Sequence, residues 1–367
     1  MTPDTLGRKI ARRIRDEGPL SVAAYMAMAL HDPEGGYYAR RDPIGARGDF
    51  ITAPEISQVF GELIGLWCAV IWDQLGRPDP VILAELGPGR GVLIGDLLRA
   101  AAAVPDFHRA LRLHLVEASA PLRAAQQQRL AQFEPIWVPR FQDLPDGPML
   151  LVANEFLDTL PIRQFVRCGP HWSERMVTVD DENCFVFVDG PPSPVARFLL
   201  SDALRDSAGQ GAVVEICPAA LALAAALSAR FAHQPGAALF IDYGYFPSAP
   251  GTTLSALHGH HVVPVLTAPG TADLSAHVDF AAFAEAARAG GAEAHGPVPQ
   301  AKLFTALGAR ERAAVLRARA NPCQQHDLDS GIERLLDPGG MGTLFKAIAL
   351  VSPWLPAPPG FETVFDG

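Results

Sequence analysis

The segment Val81-Ile82-Leu83-Ala84-Glu85-Leu86-Gly87-Pro88-Gly89-Arg90-Gly91 constrains the fold of this chain more than any other. Its apolar residues suit a strand covered on both faces, as in a parallel sheet. The glycines that follow permit left-handed backbone and close approach to a ligand where a Cβ would intrude. After Gly91, the residues Val92, Leu93, Ile94, Leu97 and Leu98 recur at helical spacing, so the turn opens into a helix N-terminus. A buried strand, an acidic residue, a glycine turn and a helix together read as a nucleotide-binding corner. The dinucleotide fingerprint asks for Gly-x-Gly-x-x-Gly or -Ala, whereas the residue after Gly91 is Val92. That mismatch leaves a dinucleotide-dependent oxidoreductase as a minor alternative, beside a purely structural strand turn.

The pattern around this corner predicts an α/β fold with a doubly wound, Rossmann-like sheet. Strands are expected at 81–86, 111–117, 135–139 and 149–153, with helices at 91–103 and 120–132 between them. Residues 1–77 read as an N-terminal helical extension with a Gly/Pro/Asp-rich loop. Its main helix runs from Ile56 to Leu75, with Val59, Phe60, Leu63, Leu66, Trp67, Val70 and Ile71 on one broad face. The core, 78–367, is expected to be interrupted around 161–190 by an inserted antiparallel β-meander made of Gln164–Arg167, Glu174–Val179 and Cys184–Val188. It is expected to resume with a strand at 212–217, a helix at 218–232 and a strand at 237–242. Helices near 279–290, 300–317 and 327–336 and a last strand around 344–351 complete it.

With 367 residues and 49% hydrophobic content the chain can bury a large core. No window approaches 18 uncharged apolar residues, so no membrane span is expected. The start mixes Arg8, Lys9, Arg12, Arg13 and Arg15 with Asp4, Asp16 and Glu17 and lacks an apolar signal region, so no secretory leader is expected. A net charge of −10 argues against nucleic acid as a partner, because phosphate binding rests on Lys and Arg. Cys68, Cys168, Cys184, Cys217 and Cys323 are scattered without a C-x-x-C pair. The run His258-Gly259-His260-His261 has no acidic or thiol partner at ligand spacing, so no metal site is expected.

Acid-x-Gly-x-Gly-x-Gly from Glu85 to Gly91 resembles the first motif of S-adenosylmethionine (SAM) dependent methyltransferases. SAM carries an amine, a carboxylate, a ribose diol and an adenine, so its site needs carboxylates as much as backbone donors. Glu85 with Gly87, Pro88, Gly89 and Gly91 would face the methionine and ribose portions. Glu117, at the close of the second strand, can accept both ribose hydroxyls. Gln142 and Asp143 follow the third strand, where Asp143 can accept from the adenine amino group. Asn154, Glu155 and Asp158 follow the fourth strand and form the candidate catalytic cluster. Upstream, Asp49 and Thr52 are expected to cover the cofactor, with Glu55 and Gln58 framing a substrate entrance.

Several segments together resemble one family, the MidA-like proteins. They are Leu30 to Pro33 with Gly36-Tyr37-Tyr38, Gly48 to Glu62, Glu85 to Gly91, Ala153 to Pro161, Asp242 to Tyr245, Asp273 to Phe280, and Met341 to Lys346. The mitochondrial member of that family is the complex I assembly methyltransferase. The resemblance implies SAM as cofactor and a protein substrate, an arginine of a respiratory complex I subunit, in a bacterial cytoplasm or a mitochondrial matrix. A guanidinium stays protonated up to a pKa above about 12, so a carboxylate led by Glu155 is expected to pair with it and take its proton. A non-catalytic SAM-binding assembly module is the rival reading.

Overall fold

A computed structural model of the chain describes residues 4–40 and 52–362, which fall into two compact units. The first gathers Met1–Phe50, Leu157–Ala222 and Tyr245–Ala282; the second gathers Ile51–Phe156, Leu223–Gly244 and Phe283–Gly367. Compactness thus sorts the chain by which segments pack together, and not at the expected divide at residue 77.

The second unit holds the sheet that the glycine turn implied. Its strands are β1 (Val81–Leu86), β2 (Leu111–Val116), β3 (Ile136–Val138), β4 (Met149–Asn154), β5 (Gly236–Tyr245), β6 (Glu293–Pro299) and β7 (Phe345–Val351). They lie in the order β6-β7-β5-β4-β1-β2-β3. The pairs β3-β2, β2-β1, β1-β4 and β4-β5 are parallel, while β7 runs antiparallel to both β5 and β6. The order reverses between β1 and β4, and in open α/β sheets ligands bind outside the carboxyl ends of the strands at such a reversal. Every residue of β1 is buried, as continuous apolar runs of central parallel strands require. The strand β6 had no counterpart in the sequence reading, and the helix expected over 300–317 breaks at Gly308 into Gln300–Ala306 and Ala309–Arg317.

Helix Gln58–Gln74 begins at Ser57, whose hydroxyl accepts from the Val59 amide. It lies against helix Val92–Ala101, the helix that the glycine turn opens. The two backbones approach closely at Gly61 and Gly65. A Cβ on Gly61 would stand 2.7 Å from Asp96 Cβ and 2.8 Å from the Leu93 carbonyl, and one on Gly65 would stand 2.7 Å from the Leu97 carbonyl. Beside this contact the buried Glu62 carboxylate accepts from Arg99 at 3.1 Å, Arg312 at 2.7 Å and Gln58 at 3.3 Å. Removing one partner of such a buried cluster is costly, because it leaves an uncompensated charge. Phe60 stacks on Phe304 with ring centroids 4.6 Å apart, and Trp67 is fully buried.

The first unit contains an antiparallel sheet in which His171–Val179 pairs with Leu20–Ser21, Arg163–Cys168 and Phe185–Pro192. Val213–Ile216 pairs antiparallel with Arg163–Val166 on the other side of that strand. The strand expected at 212–217 to resume the core therefore belongs to the inserted sheet. Its apolar residues Val214 and Ile216 pack with Phe165 and Trp172, a burial that an apolar run alone cannot assign to one sheet or another. The core sheet resumes only at β5. Helices Asp4–Glu17 and Val22–His31 supply Leu6, Ile10, Tyr25 and Met26 to a separate core in this unit. The histidine run occupies a hairpin turn between Ser255–His258 and His261–Val263, with His260 at φ 64°.

Gly61→Val should force helix Val92–Ala101 outward and lower unfolding stability by about 1–3 kcal/mol, the usual cost of overpacking a close contact. Urea unfolding measures it, and a midpoint equal to that of the unsubstituted protein would show that the helices are not held at this distance.

Candidate functional site

At the end of β1 the chain turns through Gly87, Gly89 and Gly91 with φ of 60°, 52° and 75°. Gly87 needs both its conformation and its missing side chain, since a Cβ there would stand 2.9 Å from the ring of Phe156. The Gly87 amide donates to the Val116 carbonyl at 3.1 Å, and the Gly91 amide to Pro88 at 2.7 Å. These bonds shape the turn that opens helix Val92–Ala101, and a helix N-terminus suits anionic and polar ligand groups.

Glu85 is 3% exposed and its carboxyl is pushed up to about 8 by burial, with the nearby Glu117 charge adding and the Ile94 amide opposing. Its Oε2 is buried and has no hydrogen-bond partner. An acceptor sealed from water in this way costs about 1–3 kcal/mol or more unless a donor reaches it. A cofactor that brings an ammonium group to the carboxyl end of β1 meets that need, so the residues present fit SAM.

Glu117 follows β2, with its amide donating to Val138 of β3 at 3.2 Å. Its Oε1 accepts from the Ser119 amide at 2.7 Å and its Oε2 from Gln126 at 3.3 Å. Burial raises its pKa, and the Ser119 and Gln126 bonds pull the other way. Gln126 is fully buried, and its Nε2 also donates to the Gly89 carbonyl at 2.7 Å while its Oε1 accepts from the Trp137 indole at 2.8 Å. The sequence reading missed Gln126. The signal was present, since Leu122, Gln126 and Leu130 are spaced four apart on one helix face and all three are buried.

Beyond β3, Gln142 and Asp143 lie in the short helix Phe141–Asp143. Arg140 donates to both Asp143 oxygens, at 3.1 and 2.9 Å, and its guanidinium holds that carboxyl below the usual range.

Beyond β4, Glu155 adopts φ 50°. A left-handed non-glycine residue costs of order 1–3 kcal/mol and concentrates at functional sites. The conformation is over-determined, because the Glu155 amide donates to Ile241 at 3.0 Å and the Phe156 amide to the buried Asp242 carboxylate at 3.1 Å. The Glu155 Oε1 accepts from the Ala53 amide at 3.2 Å and from Asn154 Nδ2 at 3.1 Å. Ala53 opens the short helix Ala53–Ile56, whose N-cap Thr52 makes no side-chain cap bond, so Glu155 receives a first-turn amide instead. Glu55 from the same helix stands 3.7 Å from Arg90 of the glycine turn. Glu85, the glycine turn, Glu117, Asn154, Glu155, Thr52 and Glu55 are thereby tied together in the second unit. Gln58 is part of the Glu62 cluster, Asp158 belongs to the first unit, and Asp49 lies outside the described residues.

A sheet that reverses at a glycine turn, with acids closing β1 and β2, is the architecture of a SAM-dependent methyltransferase. Comparison with known proteins bears this out. A family described as "Putative S-adenosyl-L-methionine-dependent methyltransferase" matches residues 63–298, and the chain belongs to that family. It is 36% identical to the human mitochondrial protein arginine methyltransferase NDUFAF7, with 94% of this chain and 82% of that protein covered. It is 34% identical to the Drosophila melanogaster homologue, covering 94% and 84%. Among solved structures, it resembles a COG1565 superfamily protein of Burkholderia thailandensis bound to S-adenosyl-homocysteine, at 27% identity and a TM-score of 0.83, over 98% of this chain and 95% of that one. The cofactor is therefore SAM, and the dinucleotide alternative falls away. No helix among the described residues is long and apolar enough to cross a membrane.

The Glu85 value sets a pH dependence. With a folded-state pKa near 8 against an ordinary 4.5, the native state holds a proton between these values that the unfolded chain has lost. Stability of the ligand-free protein should therefore fall as pH rises through that window. Glu85→Gln should flatten this part of the curve of Tm against pH; the same slope in both proteins would show that Glu85 ionises normally.

Proposed function

We propose that this protein methylates arginine side chains of a protein partner, with Glu155 as the group that receives the guanidinium and its proton. The observation that carries this reading is Glu155 itself, a carboxylate held in one orientation beside the reversal point by a strained, doubly anchored backbone. The names of its relatives, protein arginine methyltransferases, supply the substrate class. In this reading Glu85 pairs with the ammonium of SAM, the turn from Gly87 to Gly91 follows its methionine and ribose portions, and Glu117 accepts from the ribose hydroxyls. Gln142 and Asp143 border the adenine. Thr52 covers the cofactor, Glu55 frames the entrance, and Asn154 assists at the substrate side.

When bound, SAM supplies an electrophilic methyl carbon. Glu85, Glu117 and the turn from Gly87 to Gly91 would hold the cofactor, and the chemistry it would supply is a displacement that places the methyl on nitrogen with a thioether as the leaving group. This displacement depends on alignment and exclusion of water more than on a strong base. The guanidinium still has to lose a proton from the attacking nitrogen, and a paired carboxylate localises the charge on the other nitrogens before accepting it. A complex I subunit is the substrate to test first on the family resemblance, since the relatives it matches are named as mitochondrial.

Glu155→Gln keeps the acceptor for Ala53 and removes the charge. It should bind S-adenosylhomocysteine within about twofold of the unsubstituted protein and lose roughly 100-fold or more in turnover, the scale of a general base. Labelled methyl transfer to co-purified partners, followed by mass spectrometry, measures it. Undiminished turnover would remove Glu155 from the chemistry, and cofactor binding by the unsubstituted protein without any methylated arginine would favour the assembly-module reading.

A further inference from the structure

We infer that Gln126 is the positioning residue for the cofactor ribose, acting through Glu117. This rests on the reading of Glu117 as the ribose acceptor. The side-chain amide of Gln126 is fully buried and reaches the carboxyl ends of three adjacent strands: Gly89 after β1, Glu117 after β2 and Trp137 in β3.

The orientation of this amide is not a free choice. An indole N–H only donates, so Trp137 requires the Gln126 oxygen to face it. The Nε2 is thereby turned toward Gly89 and Glu117, and its two hydrogens have two acceptors, at 2.7 and 3.3 Å. No capacity is left over on the nitrogen, so Gln126 has no donor to offer a ligand. Its effect passes through the groups it holds. Glu117 receives bonds from Ser119 on Oε1 and from Gln126 on Oε2, and a further backbone bond from Ala118. A carboxylate has about four lone-pair sites, so acceptor capacity remains for a ribose hydroxyl. Without Gln126 the carboxylate loses its lateral stop.

A merely structural role would lower stability and weaken binding to the same degree whatever stands at 117. A positioning role requires Glu117 to be present. A double-mutant cycle with S-adenosylhomocysteine as the titrated probe separates the two. Gln126→Met, close in shape and without hydrogen bonds, should weaken affinity roughly tenfold, the loss of a bond to a charged group. In a Glu117→Ala background the same exchange should cost less than about twofold, because the group it positions is gone. An equal loss in both backgrounds, or no loss in either, overturns the inference while leaving the ribose reading intact. Retention of full affinity by Glu117→Ala alone overturns the ribose reading and the inference together.

Gln126→Glu provides a second handle should the methionine variant fold poorly. A carboxylate there faces the Glu117 carboxylate and the Gly89 carbonyl with no donor, with Glu85 adding like charge nearby and Arg123 acting on Glu117 with the opposite sign. Relative to the unsubstituted protein at each pH, its affinity should be depressed at pH 8 and should recover as the pH falls toward 5.5 and a shared proton restores the donor. A ratio independent of pH contradicts the inference.

Discussion

A carboxyl group buried at the end of β1 organises the site. Glu85 sits where the central strand stops, one side met by the Ile94 amide of the helix that follows and Oε2 without any donor. Burial opposes its charge, and a second acid, Glu117, stands close enough to oppose it further. A group in that position is costly in the empty protein and favourable once a cation arrives. The corner is thus pre-paid for a ligand that carries an ammonium, and the glycine turn beside it keeps the approach open to backbone contact.

What holds this corner in shape lies mostly behind it. The helix leaving the turn is pressed against Gln58–Gln74 through Gly61 and Gly65, and Glu62 ties the same helices to Arg99 and Arg312. The loop after β4 is fixed by Asp242 and Ile241 of β5, while its Phe156 ring closes over Gly87. Glu155 in turn anchors the helix Ala53–Ile56, whose Glu55 reaches back to Arg90. The glycine turn is thus contacted directly by Phe156 and by Glu55 through Arg90. The strain at Glu155 persists because its flanking amides are committed to β5.

Much of the fold was legible because local signals and burial agree. The apolar runs of β1, β4 and β5 and the glycines after β1 each state one thing only, a covered strand and a turn toward a helix. Strand order was not legible, since pairing partners such as β4 beside β1 are set by contacts far apart in sequence. Val213–Ile216 shows the limit: its apolar run reads the same in the core sheet as in the insertion where it pairs. Gln126 was passed over because glutamine in a helix ordinarily faces water, although its spacing from Leu122 and Leu130 marked an inward face. Asp143 and Gln58 were legible as polar groups near strand and helix ends, yet not their engagement with Arg140 and Glu62.

The most direct measurement is calorimetric titration of S-adenosylhomocysteine near pH 7 in two buffers of different ionisation enthalpy. If Glu85 holds a proton in the empty site and loses it to pair with the ligand ammonium, binding releases close to one proton, about the full occupancy expected a unit below its pKa. The observed heats then differ between buffers in proportion to their ionisation enthalpies, and Glu85→Gln abolishes the difference. Heats that are identical in both buffers would contradict a buried, protonated Glu85 as the centre of the cofactor site.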